Sequence, residues 1–178
     1  YSNKAVEIID AAKGIAEKYH SKIVGSEHLL LALYNTSDSV CYFLLNERLI
    51  TEEDIIKEIE NLIILRTVRN ESIYTKELTD IVKAASLAAK SAKSEYVYEE
   101  HLFYALLTTN DNVGKDVLTK LGVDIEELLA DLEDMFCFNE EEKVHPYPFL
   151  TNLSIAEQTH PYISLGNYIE RLKIIMNK

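Results

Sequence analysis

Along the first 136 positions, apolar residues return three and four places apart, with polar residues between them. That period marks α-helices with one buried face. Val6, Ile9, Ala12, Ala16 and Tyr19 make the first such stripe, behind Ser2 as its N-cap. After a short connection over 21–25, Ser26 is expected to cap a second helix with Leu29, Leu30 and Leu33 on its inner side. Asp38 or Ser39 opens a third, which carries Val40, Leu44 and Leu45. Thr51 opens a fourth, striped by Ile55, Ile59 and Leu62. Glu52, Glu53 and Asp54 fill its first turn, where carboxylates suit the positive end of the helix dipole. The plan then begins again. Thr75 caps a helix striped by Leu78, Ile81, Val82, Ala85 and Ala89, and helices over 100–107, 113–121 and 124–136 follow.

An offset of 73 aligns 1–63 with 74–136 without a gap, and 18 of the 63 positions are identical. Ser26-Glu27-His28-Leu29-Leu30-Leu31-Ala32-Leu33 falls on Glu99-Glu100-His101-Leu102-Phe103-Tyr104-Ala105-Leu106, and Tyr1-Ser2 falls on Tyr74-Thr75. Two units are too few for a solenoid. The expected fold class is therefore all-α: one eight-helix globular domain over 1–136, made of two pseudo-symmetric four-helix repeats. The first repeat covers about 1–63 and the second about 74–136, with a bridge over 64–73 between them. All three prolines lie beyond position 145, so none interrupts these helices. Residues 137–149 contain Glu140-Glu141-Glu142, Pro146 and Pro148 and read as an acidic, proline-broken linker. Residues 150–178 read as the start of a further unit that this chain leaves incomplete.

Charge and composition narrow the function. The chain has 178 residues, with 30 Asp and Glu against 18 Lys and Arg, a net charge of −12. That balance argues against a nucleic-acid surface and against an electrostatic hold on anionic lipid. No apolar run approaches the ~20 residues of a membrane span. The two cysteines, Cys41 and Cys137, give neither a disulfide framework nor a zinc spacing, so a reducing, cytoplasmic setting is expected. With five glycines the chain has no glycine-built phosphate cradle, and no serine elbow appears. No catalytic residue and no metal site are expected. Glu27-His28 and Glu100-His101 lack the His pair at i and i+4 that a helical zinc site uses. Each Glu is read as answering the helix dipole and each His as closing a local hydrogen bond. One constellation survives: each half pairs a hydroxyl cap on its first helix with a carboxylate at the start of its second, Ser2 with Glu27 and Thr75 with Glu100. A helix start attracts an anion and a carboxylate attracts a guanidinium, so a phosphorylated arginine matches both ends.

The repeated S-E-H-L-L-L-A-L and E-E-H-L-F-Y-A-L segments resemble the N-terminal domain of Clp ATPases, the AAA+ unfoldases that feed the Clp protease. That family's repeat reads G-[TS]-E-H-[IL]-L-L-[AG]-L, behind a helix that starts at an aromatic-[ST] pair. Gly25 to Leu33 fits throughout, while Tyr98 and Glu99 replace the Gly-Thr in the second copy. Asn152-Leu153-Ser154-Ile155-Ala156, Gly166 and Ile169-Glu170-Arg171-Leu172 resemble the lead-in to the first ATPase domain. The resemblance implies a non-catalytic N-terminal piece of an ATP-dependent unfoldase, most like the ClpC branch. Such a piece docks adaptor proteins and misfolded or tagged substrates, and serves the Clp protease through the full-length protein. ATP and magnesium would belong to the ATPase domains, and this piece is expected to be a monomer without a cofactor. The resemblance also implies phosphoarginine recognition by Ser2 with Glu27 and by Thr75 with Glu100. The second copy is the weaker, because Glu99 adds a charge that repels phosphate. The alternative is a stand-alone regulator or adaptor with the same fold.

Overall fold

The computed structural model describes residues 1–63 and 73–136. The expected linker over 137–149, the expected ATPase start over 150–178 and the bridge up to position 72 lie outside them. Among the described residues, eight α-helices follow in chain order: α1 (Asn3–Lys18), α2 (Ser26–Asn35), α3 (Val40–Glu47), α4 (Glu52–Ile63), α5 (Lys76–Ser91), α6 (Glu99–Thr108), α7 (Val113–Lys120) and α8 (Ile125–Phe136). Adding 73 to either end of α1 to α4 gives the matching end of α5 to α8. The repeat in the sequence is thus a repeat of structure, and the all-α class holds. Extended pairing among the described residues is confined to an isolated bridge between Val24 and Tyr74.

Short polar side chains set where the helices begin. Ser2 Oγ accepts the Ala5 N–H at 3.1 Å, and Thr75 Oγ1 accepts the Leu78 N–H at 3.2 Å. Ser39 Oγ accepts the Tyr42 N–H and donates to the Leu33 carbonyl, so the start of α3 is tied back to α2. Its counterpart Asn112 does the same for α7, accepting from Lys115 and donating to the Leu106 carbonyl. Thr51 and Asp54 cap the first turn of α4 between them, and Asp124 takes the Glu126 and Glu127 N–H groups at α8. Each such cap is worth about 1 kcal/mol.

The core is built around α2 and α6. Every residue from Ser26 to Tyr34 is buried, and α6 buries His101, Leu102, Phe103, Ala105, Leu106 and Leu107. This goes beyond the one-sided face expected for α2, because α1, α3, α4, α6 and α7 pack around it and leave it no outer side. In α1 the buried face is Ala5, Ile8, Ala12 and Ala16. The stripe read from the sequence is therefore one position out at its start, where Ala5 and Ile8 stand for Val6 and Ile9, and Tyr19 at its end is exposed. Of the stripe read for α5, Leu78, Ile81, Ala85 and Ala89 are buried and Val82 is half-buried. The alanines allow α1 and α5 to lie close to α2 and α6, while the leucines each contribute about 1.5–3 kcal/mol of burial. Arg48 joins the repeats, donating to the Leu44 carbonyl and to Asp131 on α8. A groove of about 500 Å³ lies there, lined by Arg48, Leu121, Asp124, Glu127 and Asp131 among others.

Candidate functional site

The segment before each central helix carries the first helix of the other repeat. The Val24 N–H donates to the Ile73 carbonyl at 2.8 Å, and the Thr75 N–H donates to the Val24 carbonyl at 3.0 Å. The start of α5 therefore lies against the residues that lead into α2. By the same geometry the Ser2 N–H donates to the Val97 carbonyl at 2.9 Å, which sets the start of α1 against the residues that lead into α6. The backbone thus pairs the mouths across the repeats and not within each half as expected: Thr75 starts its helix beside the segment leading to Glu27, and Ser2 beside the segment leading to Glu100. Short extended contacts between the repeats make the exchange, and helical periodicity does not encode them.

At the α2–α5 mouth, Gly25 is the N-cap and Ser26 is already inside the helix. The expectation that Ser26 caps α2 is corrected, because its hydroxyl is buried and accepts the Gly114 N–H of α7 at 3.1 Å. His28, at the third helical position, accepts the Gly25 N–H on Nδ1 at 3.0 Å. It fills the role that Glu takes in a capping box. This is the local hydrogen bond read for His28 from the sequence. The Glu27 side chain is 10% exposed and folds back over Gly25. A Cβ added to Gly25 would meet the Glu27 carboxylate at 2.3–2.6 Å. Glu27 Oε1 is 3.1 Å from His28 Nδ1, a nitrogen already used as an acceptor. Glu27 Oε2 is buried with no hydrogen-bond partner among the described residues. Leaving a buried acceptor unmatched costs about 1–3 kcal/mol, and more for a charged group. Lys76, at the first position of α5, is exposed.

The α6–α1 mouth has the same backbone and different side chains. Tyr98 is the N-cap, and its ring stacks on His101 with centroids 6.1 Å apart. His101 Nδ1 accepts the Tyr98 N–H at 3.1 Å, as read from the sequence. Burial lowers the His101 pKa to about 4, against the opposing effect of that backbone hydrogen bond. Glu100 stands farther from its histidine, with Oε1 3.9 Å from His101 Nδ1. Burial pushes its pKa up to about 7; its own backbone N–H opposes the shift and the Glu99 charge adds to it. Glu99 itself is held by Lys4 Nζ at 2.6 Å, and Lys4 also reaches the Asp38 carbonyl at 3.0 Å and the Asp38 carboxylate at 3.1 Å. Burial lowers the Lys4 pKa, but the bonds and charges of Glu99 and Asp38 outweigh it and leave it raised. The phosphate-repelling charge expected of Glu99 thus comes with a bound counter-charge. Of the residues that shape the two mouths, sequence reasoning missed Gly25 as a space-maker and Lys4 as a clamp. The Gly25/Tyr98 mismatch between the repeats was the available signal for the first.

Among the described residues, no three His, Cys, Asp or Glu side chains gather as metal ligands, and no helix is long and apolar enough to cross a membrane. Each mouth instead sets a helix start beside a carboxylate; helix starts in general attract anions and carboxylates attract guanidinium groups.

Fold and mouths together define a double-repeat helical domain with polar sites at its helix starts. The profile of the family described as "Clp repeat (R) N-terminal domain" matches residues 1–71 and 73–151, and the chain belongs to that family. It is 27% identical over 143 residues to a probable ATP-dependent Clp protease ATP-binding subunit of Chlamydia pneumoniae, covering 78% of this chain and 17% of that protein. It is 24% identical over 141 residues to the negative regulator of genetic competence ClpC/MecB of Bacillus subtilis, covering 79% of this chain and 17% of the relative. The chain thus spans only a small part of the length of these relatives. Among solved structures, the N-terminal domain of ClpD from Arabidopsis thaliana shares the fold with a TM-score of 0.63 at 19% identity, over 75% of this chain and 92% of that one. The Hsp104 N-terminal domain from Candida albicans does so with a TM-score of 0.62 at 16% identity, over 76% and 90%.

Proposed function

We propose that this chain is the substrate- and adaptor-docking domain of a Clp-type unfoldase, and that phosphoarginine-tagged proteins are taken up at a helix mouth, with Thr75 and Glu27 as one candidate site and Ser2 and Glu100 as the other. The domain binds and hands on; it does no chemistry itself. ATP and magnesium would act in ATPase domains of the full-length protein, which would also carry the contact with the Clp protease in the cytoplasm. The piece works as a monomer without a cofactor. Family membership supports docking in general. One observation supports the finer reading: a nearly buried Glu27 carboxylate with an unmatched oxygen, placed where the starts of α2 and α5 meet. A carboxylate kept there at a cost to folding is set to receive a guanidinium, and the helix N–H groups beside it are set to receive the attached phosphate.

Calorimetric titration with free phosphoarginine tests this. The wild-type chain is expected to bind. Glu27→Ala is expected to weaken binding at least tenfold, about 1.4 kcal/mol, with an unchanged or slightly raised melting temperature. Equal affinity in the variant refutes the site.

A further inference from the structure

We infer, resting on the docking reading above, that the two mouths are unequal: one phosphoarginine group binds per chain, at the α2–α5 mouth, because Gly25 and Ser26 admit a geometry that Tyr98 and Glu99 exclude. The backbones at the two caps nearly coincide, with φ −112° and ψ −179° at Gly25 and φ −98° and ψ 176° at Tyr98. Both are ordinary extended conformations, so the glycine is not there for its dihedral angles. It is there for room. The Glu27 carboxylate occupies the volume that a Cβ at position 25 would enter. Tyr98 has a Cβ in that place, so Glu100 cannot take the same position, and it stands 3.9 Å from its histidine where Glu27 stands 3.1 Å from its own. At one mouth the carboxylate is held beside the helix start. At the other, Tyr98 stacks on His101 and the Glu100 carboxylate stands against its own backbone N–H, farther from its histidine.

The phosphate side differs in the same direction. Position 26 is a neutral serine whose hydroxyl is engaged by Gly114, and Lys76 on the facing helix is exposed and in no ion pair among the described residues. A phosphate at that mouth meets the Lys76 cation and no carboxylate at position 26, although Glu77 follows Lys76 in the first turn of α5. Position 99 is a glutamate, and Lys4, the base in the first turn of α1, is already engaged by Glu99 and Asp38. A phosphate there would have to break that pair and lie beside the Glu99 carboxylate. Glu100, held near half-protonation at neutral pH by its burial, is also the poorer partner for a guanidinium.

Calorimetry on the full 178-residue chain with free phosphoarginine at neutral pH reads the stoichiometry directly. One equivalent is expected, and Glu27→Gln is expected to remove it. Transplanting the first mouth into the second with Tyr98→Gly and Glu99→Ser together, Glu27 left intact, is expected to give two equivalents. Circular dichroism melting checks that this variant folds; should it not, the wild-type stoichiometry and Glu27→Gln still decide. Two equivalents in the wild type overturn the inequality and leave the docking reading standing. One equivalent that survives Glu27→Gln overturns the assignment to the α2–α5 mouth. A folded transplant that still binds one equivalent overturns Tyr98 and Glu99 as the excluding pair. No binding by the wild type overturns both the inequality and the phosphoarginine reading on which it rests.

Discussion

At the start of α2 an extended glycine leaves space for a carboxylate; at the start of α6 an extended tyrosine fills the same space and leans on the histidine beside it. The scaffolds around these two places superpose helix for helix at a constant offset of 73 residues. The histidines even accept the same backbone hydrogen bond. Core packing fixes element lengths and cap positions, since a one-residue shift would turn a buried face outward. Side chains at the helix mouths carry little of the core, so they diverge without moving a helix. A duplicated fold can therefore keep its architecture and assign different tasks to its two halves.

The largest expected consequence is electrostatic and confined to the α6–α1 mouth. Burial raises the folded pKa of Glu100 from its ordinary value of 4.5 to about 7. The folded state then binds more protons than the unfolded one between those values. Stability from this group is fully present below the unfolded pKa and is lost as pH rises through about 7. Glu100→Gln removes that loss. The variant is expected to gain about 2–3 kcal/mol over the wild type on going from pH 5 to pH 8, from about 1.4 kcal/mol per pKa unit. His101, whose folded pKa is about 4, destabilises the fold as pH falls below its ordinary range, but it is common to both proteins and cancels in the difference. Urea unfolding of the two proteins at several pH values measures the gap. A pH-independent gap would show that Glu100 is not desolvated in solution.

Next in size is a contrast between two glycines that serve the α2–α5 mouth. A Cβ on Gly114 would meet the Ser26 carbonyl oxygen at 2.9 Å and a Leu106 methyl at 3.2 Å. The first of these is backbone in a buried helix and cannot give way cheaply. Gly114→Ala is expected to cost about 2 kcal/mol in denaturant unfolding. The three atoms nearest a Cβ on Gly25 all belong to the far end of the flexible Glu27 side chain, which can swing aside. Gly25→Ala is expected to cost less than about 0.5 kcal/mol in stability while lowering phosphoarginine affinity. Equal stability costs in the two variants would mean that the Glu27 carboxylate is locked in place.

Much of this architecture was legible before any coordinates. The repeat, the eight helices, the caps at Ser2, Thr51 and Thr75 and the histidine hydrogen bonds all follow from local spacing and local chemistry, while the start of the third helix is narrowed only to Asp38 or Ser39, of which Ser39 is the cap. What stayed hidden was tertiary. Ser26 has the composition of an N-cap, but its hydroxyl is drawn to Gly114, 88 residues away. The two stretches from 1 to 63 and 74 to 136 invite the idea that each is closed on itself. The crossing of Thr75 to Val24 and of Ser2 to Val97 depends on how the halves dock, and no periodicity reports that. The burial of α2 on every side was missed for the same reason: its sequence shows how apolar it is, not how many neighbours surround it.

The smallest effect compares the repeats away from the mouths, at the residue that ends the turn after α3 and after α7. Leu49 has φ +59° and is 85% exposed; its counterpart Gly122 has φ +80°. A left-handed backbone costs a side chain with a Cβ roughly 1–2 kcal/mol. The exposed leucine regains little of that through burial. Glycine in its place removes the strain but adds about 0.5–1 kcal/mol of unfolded-chain entropy, so Leu49→Gly is expected to stabilise by about 0.5–1 kcal/mol net. The reverse exchange isolates the same quantity, because nothing lies within 4 Å of a Cβ built on Gly122 and the cost of Gly122→Leu is conformational. It is expected to destabilise by about 1 kcal/mol. Thermal melting of both variants reads the pair. Should Leu49→Gly lower the melting temperature, the leucine must be packed against something in solution that its 85% exposure does not show.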